Sequence, residues 1–131
     1  MVTFNFSQCP VSVPLVKTSY RCIKTPLPVP QSVEIFERLD HVESRSMHGQ
    51  LPIVWDRAKD FQVFDKWGNC WIDFTSTIFV ANAGHANNII IQSLKKIIEK
   101  DLLHTYTYVS EVRADFLQKL IENTPEEIEK A

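Results

Sequence analysis

Four aspartates and one histidine in the middle of the sequence have side chains suited to acid–base chemistry or metal binding. The aspartates are Asp56, Asp60, Asp65 and Asp73. They fall in turns or at the ends of apolar runs, where aspartate is favoured because its carboxylate accepts hydrogen bonds from nearby backbone N–H groups. His85 precedes a predicted helix, so a helix-entry position competes with a role as ligand or proton carrier. These residues alone make no complete catalytic set.

The cysteines, histidines and glycines do not form a recognised binding motif. Cys9, Cys22 and Cys70 are odd in number and widely spaced, so three reduced thiols are expected rather than a disulfide framework. Neither a His-x-x-x-His nor a Cys-x-x-Cys pair occurs, and no metal site is predicted. Glycine occurs at only three positions, which leaves no glycine-rich phosphate loop.

The composition favours one folding domain and argues against nucleic acid and membrane partners. The chain has 131 residues, 44% of them hydrophobic, and a net charge of -2. A balanced charge does not favour nucleic acid as a partner, and no apolar run approaches the roughly 18 residues that a membrane span needs. Residues 1–14 lack the basic start and the unbroken apolar stretch of a signal peptide, so a cytoplasmic location is expected.

The first 30 residues differ in composition from the rest of the chain, which must position the aspartates and His85. Residues 1–30 contain three bases, no acid and five of the seven prolines. Because proline cannot donate a backbone hydrogen bond and disfavours helix in the residue before it, this segment is predicted to be an extended arm.

Patterns typical of a small α+β fold follow the arm. Ser32 is expected to cap a short helix that runs to about Asp40, and residues 41–50 form a polar loop. Three apolar runs then predict an antiparallel meander. Its strands are residues 53–57, 61–65 and 70–74. Gly68 supplies the positive φ that the second turn needs.

Two amphipathic helices are predicted in the second half of the chain. A short apolar stretch, 76–81, is broken at 82–85, and a helix with one apolar side follows over 87–100. After a connector, Ser110 is expected to cap a second helix that buries one side. That side comprises Val112, Phe116, Leu117, Leu120 and Ile121. Thr124 and Pro125 are typical of the start of a further helix.

A specific order of motifs runs through residues 51–131. It contains LPIVWDRAKDFQVFDKWGNCWIDFTSTIFVANAGHANN, then LLHTYTY and SEVRADFLQKL. This stretch resembles the N-terminal part of a class III aminotransferase, a pyridoxal-phosphate enzyme of fold type I. The residues that match the family pattern in order are Asp65, Gly68, Asp73, Phe74, Asn82, Gly84 and His85. The segment SRSMHGQLPIVW, residues 44–55, resembles the subgroup near the 4-aminobutyrate enzymes.

The resemblance implies a fragment of a larger α/β fold. It divides the chain into an extended Pro-rich arm (1–30), a short helix and loop (31–50) and the N-terminal part of the aminotransferase domain (51–131). The family's phosphate-binding loop, its ring-nitrogen aspartate and its Schiff-base lysine all lie beyond this region. The chain is therefore expected to hold no catalytic or cofactor-binding residue, and to be inactive in transamination by itself.

The same resemblance implies that part of the chain contacts substrate. In the family, a side chain seven positions before the motif histidine touches the substrate, and that position here is Ile78. Thr77, Phe79 and Tyr106 are the other candidate substrate-binding residues, and a core position for Ile78 or an interface position for Tyr106 is the competing interpretation. The implied substrates are an ω-amino or diamino acid and a 2-oxo acid, and the implied assembly is a homodimer.

Two further functions stay open on the sequence. One is a non-catalytic truncated product that only dimerises. The other is an aminomutase or decarboxylase that uses the same cofactor, because the N-terminal region of these enzymes varies less in chemistry than in substrate.

Overall fold

The structure is a computed structural model that describes residues 6–47, 49 and 51–130. The first five residues of the predicted arm, and His48 and Gln50 in the motif at 44–55, lie outside the described residues. The chain forms two compact units, Met1–Asn88 and Ile89–Ala131.

A five-stranded antiparallel sheet organises the first unit, in the order β1-β2-β5-β4-β3. Its strands are β1 (Val16–Lys17), β2 (Cys22–Ile23), β3 (Arg57–Lys59), β4 (Gln62–Phe64) and β5 (Cys70–Ile72). The pairs β3–β4 and β4–β5 make up the predicted meander. A small antiparallel sheet accompanied by helices is therefore confirmed.

The first strand of the meander begins later than predicted. The expected strand over 53–57 is wrong for its first four residues, because β3 starts at Arg57 and continues through Lys59. Lys59 pairs with Gln62, which leaves Asp60 and a single neighbour to make the turn. Asp60 adopts a φ of 52°, in the left-handed region that such a short turn requires.

The hairpin of β1 and β2 lies within the predicted extended arm and was not expected. Val16 pairs with Ile23 and Lys17 with Cys22, and Cys22 also pairs with Cys70 on β5. The turn is held by Thr18, whose Oγ1 accepts a hydrogen bond from the backbone N–H of Arg21 at 2.9 Å. Strands of two residues are too short to show an alternating pattern, so the sequence carries no periodic signal for them.

The first helix follows the prediction except at its start and at its end, which lies two residues inside the predicted loop 41–50. A 3₁₀ turn, Pro30–Ser32, leads into α1 (Val33–Val42), and Phe36 of α1 is buried. The predicted cap is wrong, because the hydroxyl of Ser32 donates to the backbone oxygen of Val29 at 2.7 Å instead of accepting from the helix. The 3₁₀ turn before α1 occupies the place that a capping residue with extended backbone would take.

Polar contacts at the turn between β4 and β5 stabilise the sheet. The carboxylate of Asp65 accepts hydrogen bonds from the backbone N–H groups of Trp67 at 2.9 Å and Asn69 at 2.8 Å. Gly68 has a φ of 86°, which confirms the predicted glycine turn. Asn69 is fully buried and reaches towards the arm, where its Nδ2 donates to Thr25 Oγ1 at 2.7 Å.

The first unit also contains the short α2 (Ser76–Phe79) and the first residue of α3 (Asn88–Ile98). The rest of α3 and all of α4 (Glu111–Glu122) lie in the second unit. The predicted cap of α4 is confirmed, because Ser110 Oγ accepts from the backbone N–H of Arg113 at 3.3 Å. The predicted burial of one side is wrong, since no residue of α4 is buried among those described. Thr124 starts no further helix: its hydroxyl donates to Ile121 O at 2.9 Å. No described helix has the length and hydropathy needed to cross a membrane.

Candidate functional site

A left-handed turn occupies the position at which the sequence predicts substrate contact. It comprises α2 (Ser76–Phe79), whose four residues have φ values of 48°, 54°, 58° and 67° in order. None of the four is glycine, and a left-handed backbone costs about 1–2 kcal/mol for each residue with a Cβ atom. Strained backbone of this kind persists only where the surrounding structure holds it, and it is common at functional sites.

Asp73 holds the beginning of the left-handed turn. Its Oδ1 accepts hydrogen bonds from the backbone N–H of Thr75 at 3.0 Å and from Thr75 Oγ1 at 2.9 Å. Its Oδ2 accepts from the backbone N–H of Thr77 at 3.0 Å and from His85 Nε2 at 2.8 Å. The side chain is 5% exposed. One carboxylate therefore links the end of β5, the left-handed turn and the segment before α3.

His85 is fixed by its backbone as well as by its ring. Its N–H donates to Asp60 O at 2.7 Å, and Asp60 N–H donates to His85 O at 2.8 Å. The Trp55 ring packs edge-to-face against the imidazole at 5.8 Å. Gly84 has a φ of 84°, and a Cβ atom there would lie 3.5 Å from Asp60 Cα. His85 thus sits in an isolated bridge before the helix, bonded to a carboxylate.

The sequence predicts Asp73 at a strand end or in a turn, and it directly follows β5, but no sequence pattern pairs it with His85. The two residues are 12 positions apart, and no periodic pattern joins them. The signal available was that both residues occur in the family motif. Among the described residues, no group of three histidine, cysteine, aspartate or glutamate side chains is arranged to hold a metal ion.

The surroundings of Asp73 favour its ionised form. Burial raises the pKa of the carboxyl group, but the hydrogen bonds from His85, Thr75 and Thr77 outweigh burial, so the pKa lies below its usual value. The charged acceptor makes these bonds stronger than neutral ones. The ionised state of Asp73 therefore stabilises the left-handed turn.

An apolar cavity of about 340 Å³ adjoins the left-handed turn and includes Thr77 in its wall. α1 and the segment before β3 form most of the lining. The lining residues comprise Phe6, Ile35, Phe36, Leu39, Glu43, Met47, Leu51, Ile53, Val54, Trp55 and Thr77. A cavity of this size lies within the range of small-molecule sites.

The other predicted substrate-contacting residues are solvent-exposed. Ile78 is 78% exposed and Phe79 is 77% exposed, so the competing interpretation of Ile78 as buried core does not describe this chain. The left-handed turn brings Thr77, Ile78 and Phe79 together. Tyr106 belongs to the second unit and is 92% exposed, and its backbone oxygen accepts from Arg113 Nη1 at 3.2 Å.

The lysines show whether this part of the chain suits a cofactor bound through a Schiff base. All nine lysines are exposed, and none lines the cavity beside the left-handed turn. A Schiff-base lysine must sit inside a binding site with its cofactor. The described residues do not provide such a site.

Comparison with known proteins supplies the functional context. The chain is 30% identical to the diaminobutyrate--2-oxoglutarate transaminase of Wolinella succinogenes over 91 residues, which are 69% of this chain and 21% of that protein. It is 32% identical to the acetylornithine aminotransferase of Methanocaldococcus jannaschii over 77 residues, which are 58% of this chain and 19% of that protein. These relatives are aminotransferases.

A third relative extends the same pattern. The chain is 32% identical to ornithine aminotransferase 2 of Staphylococcus saprophyticus over 90 residues, which are 69% of this chain and 22% of that protein. The chain spans about a fifth of the length of the curated relatives that it matches. No family model matches the chain.

Proposed function

We propose that this chain is the N-terminal portion of a class III, pyridoxal-phosphate-dependent aminotransferase. The complete protein would transfer an amino group from an ω-amino or diamino acid to a 2-oxo acid, and would act as a cytoplasmic homodimer. Support comes from the three aminotransferase relatives at 30–32% identity. The motif from Asp65 to His85 supports the same assignment, because it is the part of the chain that builds the site.

In this proposal, Thr77, Ile78 and Phe79 form the substrate-side wall, and Tyr106 is kept as a substrate contact on the family resemblance alone. The main support for this wall is the left-handed turn, which holds Ile78 and Phe79 exposed next to an apolar cavity. An uncharged wall suits the methylene chain of an ω-amino acid, since apolar side chains bind methylenes and reject charge. Asp73 and His85 act as positioning residues. Asp73 Oδ2 accepts a hydrogen bond from Thr77 N–H in the turn, and His85 Nε2 donates to the same oxygen and so orients the carboxylate.

Pyridoxal phosphate would be held by other residues of the complete protein. When bound, this cofactor supplies an electron sink for the reacting amino acid. The residues described here do not fit it, because their lysines are all exposed. Their contribution is to bind and orient the substrate's carbon chain and to exclude water from one side.

The substrate wall is tested by substituting Ile78 in the natural-length protein and measuring the preference for donors of different chain length. Ile78→Tyr adds a ring and a hydroxyl to the wall, which should reduce kcat/KM for donors whose methylenes fill that space by roughly 10–200-fold. Val80→Tyr is the control, because it adds the same ring two residues further along. Cofactor content should be unchanged in both variants.

The same preparation separates the proposal from its alternatives. Borohydride should fix the cofactor to a single lysine, and the amino group should appear on the added 2-oxo acid. Release of carbon dioxide, or migration of the amino group within the donor, would indicate a decarboxylase or an aminomutase. Equal losses for every donor in Ile78→Tyr would remove Ile78 from the substrate wall.

A further inference from the structure

Two cysteines face each other where the arm joins the sheet. Cys22 of β2 and Cys70 of β5 are direct cross-strand partners, although 47 residues separate them in the sequence. Cys70 is buried, Cys22 is half-buried, and both are free thiols. Directly paired residues point to the same side of a sheet, so the two thiols share one side.

The cysteine pair is the only residue pair in the register of β2 with β5. Polar contacts flank it: Gln62 Nε2 donates to Tyr20 O at 2.8 Å, and Lys24 N–H donates to Asn69 Oδ1 at 2.9 Å. The β1–β2 hairpin thus meets β5 at a single cross-strand pair supported by a few hydrogen bonds. A covalent bond at that pair would fasten the hairpin to the sheet.

The geometry of an antiparallel pair suits a disulfide. Cα atoms of opposed residues lie about 4.5–5.5 Å apart, and disulfides span Cα distances of about 4.4–6.8 Å. Cys70 Sγ accepts from Gln62 Nε2 at 3.2 Å and donates to Tyr20 O at 3.4 Å, so its thiol is held at the junction of hairpin and sheet.

We propose that Cys22 and Cys70 are a redox-modification site, at which a peroxide forms a reversible disulfide that fastens the β1–β2 hairpin to β5. The thiol of Cys22 reacts with hydrogen peroxide to give a sulfenic acid and water. Cys70 sulfur then attacks Cys22 sulfur, and its proton leaves with the hydroxyl group as a second water. Two thiols are oxidised to one disulfide, and the peroxide is reduced to two waters.

The environment of the two thiols assigns their order of reaction. Burial raises the pKa of the Cys70 thiol, and the hydrogen bond from Gln62 only partly offsets this effect. The thiolate is the form that attacks peroxide, so Cys70 is suited to the second step rather than the first. Cys22 is the more accessible partner.

The experiment uses the full chain with Cys9→Ser, because exposed Cys9 would otherwise form intermolecular disulfides. Treatment with hydrogen peroxide should block both remaining thiols to alkylation. A non-reducing digest should contain the Cys22 peptide joined to the Cys70 peptide, and dithiothreitol should release both. Adding Cys22→Ser should abolish the linked peptide, whereas adding Ser12→Ala, at an exposed position, should preserve it.

A second measurement shows whether the fold brings the cysteines together. In a glutathione redox buffer, the equilibrium constant for the disulfide should be at least about tenfold larger without urea than in concentrated urea, or ~30 mV in reduction potential. Equal constants in the two conditions, or disulfides only between chains, would overturn the proposal. This result does not depend on the aminotransferase proposal, because neither measurement uses the cofactor or an amino acid.

Discussion

At the scale of single residues, Asp73 determines how the candidate site is held. The sequence predicts an aspartate at a strand end or in a turn here, and Asp73 directly follows β5, where its carboxylate accepts four hydrogen bonds. The partnership with His85 was not predictable from spacing. It depends on the backbone bridge between Asp60 and His85, which forms only when the β3–β4 turn meets the segment before α3.

Asp73→Asn should destabilise the first unit by about 1–3 kcal/mol. The amide nitrogen that replaces one carboxylate oxygen cannot accept a hydrogen bond, so either the two Thr75 donors or Thr77 N–H and His85 Nε2 lose their partner. Urea unfolding followed by tryptophan fluorescence measures this, because all three tryptophans lie in the first unit. Asp56→Asn, at an exposed position, is the matched control and should change stability little. Equal stability of both variants would contradict the role given to Asp73.

The stability contributed by Asp73 should depend on pH in a defined direction. Its pKa in the folded chain lies below the ordinary value of 3.8, so its contribution is fully present above that value. The contribution is lost as the pH falls from about 3.8 through the lower folded-state pKa. Urea midpoints measured between neutral pH and acid should therefore fall more steeply in the unaltered chain than in Asp73→Asn. Parallel curves would show that another group carries the acid dependence.

At the scale of elements, the sequence predicted those marked by an apolar run or a helical period and missed those that carry neither. The meander was expected from apolar runs separated by turn residues, and α1, α3 and α4 from helical spacing, and all four form. The β1–β2 hairpin has strands of two residues, too short for any period. The left-handed turn consists of Ser, Thr, Ile and Phe, none of which signals a positive φ, and the hydrogen bonds from the Asp73 carboxylate hold it.

Glycine in the left-handed turn should stabilise the chain. Ile78 has a φ of 58° and is exposed, so Ile78→Gly relieves backbone strain and removes little packing. Ile78→Gly should be more stable than Ile78→Ala by roughly 1 kcal/mol. In right-handed α1, Glu37→Gly should instead be less stable than Glu37→Ala by about 1 kcal/mol. The same urea unfolding experiment measures the difference in stability between the glycine and alanine variants at each position. If glycine is the less stable variant at both positions, Ile78 is not left-handed in solution.

At the scale of the whole molecule, the sequence predicts the apolar sides of the helices in the second unit but not the surface that would bury them. Helical spacing correctly places apolar residues on one side of α3 and α4, but burial needs a surface to pack against. No residue of either helix is buried among those described, and Phe116, Ile98 and Leu94 are all exposed. Exposed apolar surface of this kind is typical of an interface, so the pattern predicts amphipathicity and leaves the partner unspecified.

The isolated chain should therefore self-associate through these helices. Leu94 is 57% exposed on the apolar side of α3, and Leu94→Gln should reduce the apparent mass in light scattering and the binding of a hydrophobic dye. Lys96→Gln introduces the same side chain on the opposite side of α3 and should change neither measurement, because it removes no apolar surface. Association driven by apolar surface should also strengthen in sulfate salts, whereas association through charges would weaken. A monomeric chain with a sharp cooperative melt, unaffected by Leu94→Gln, would show that these sides need no partner.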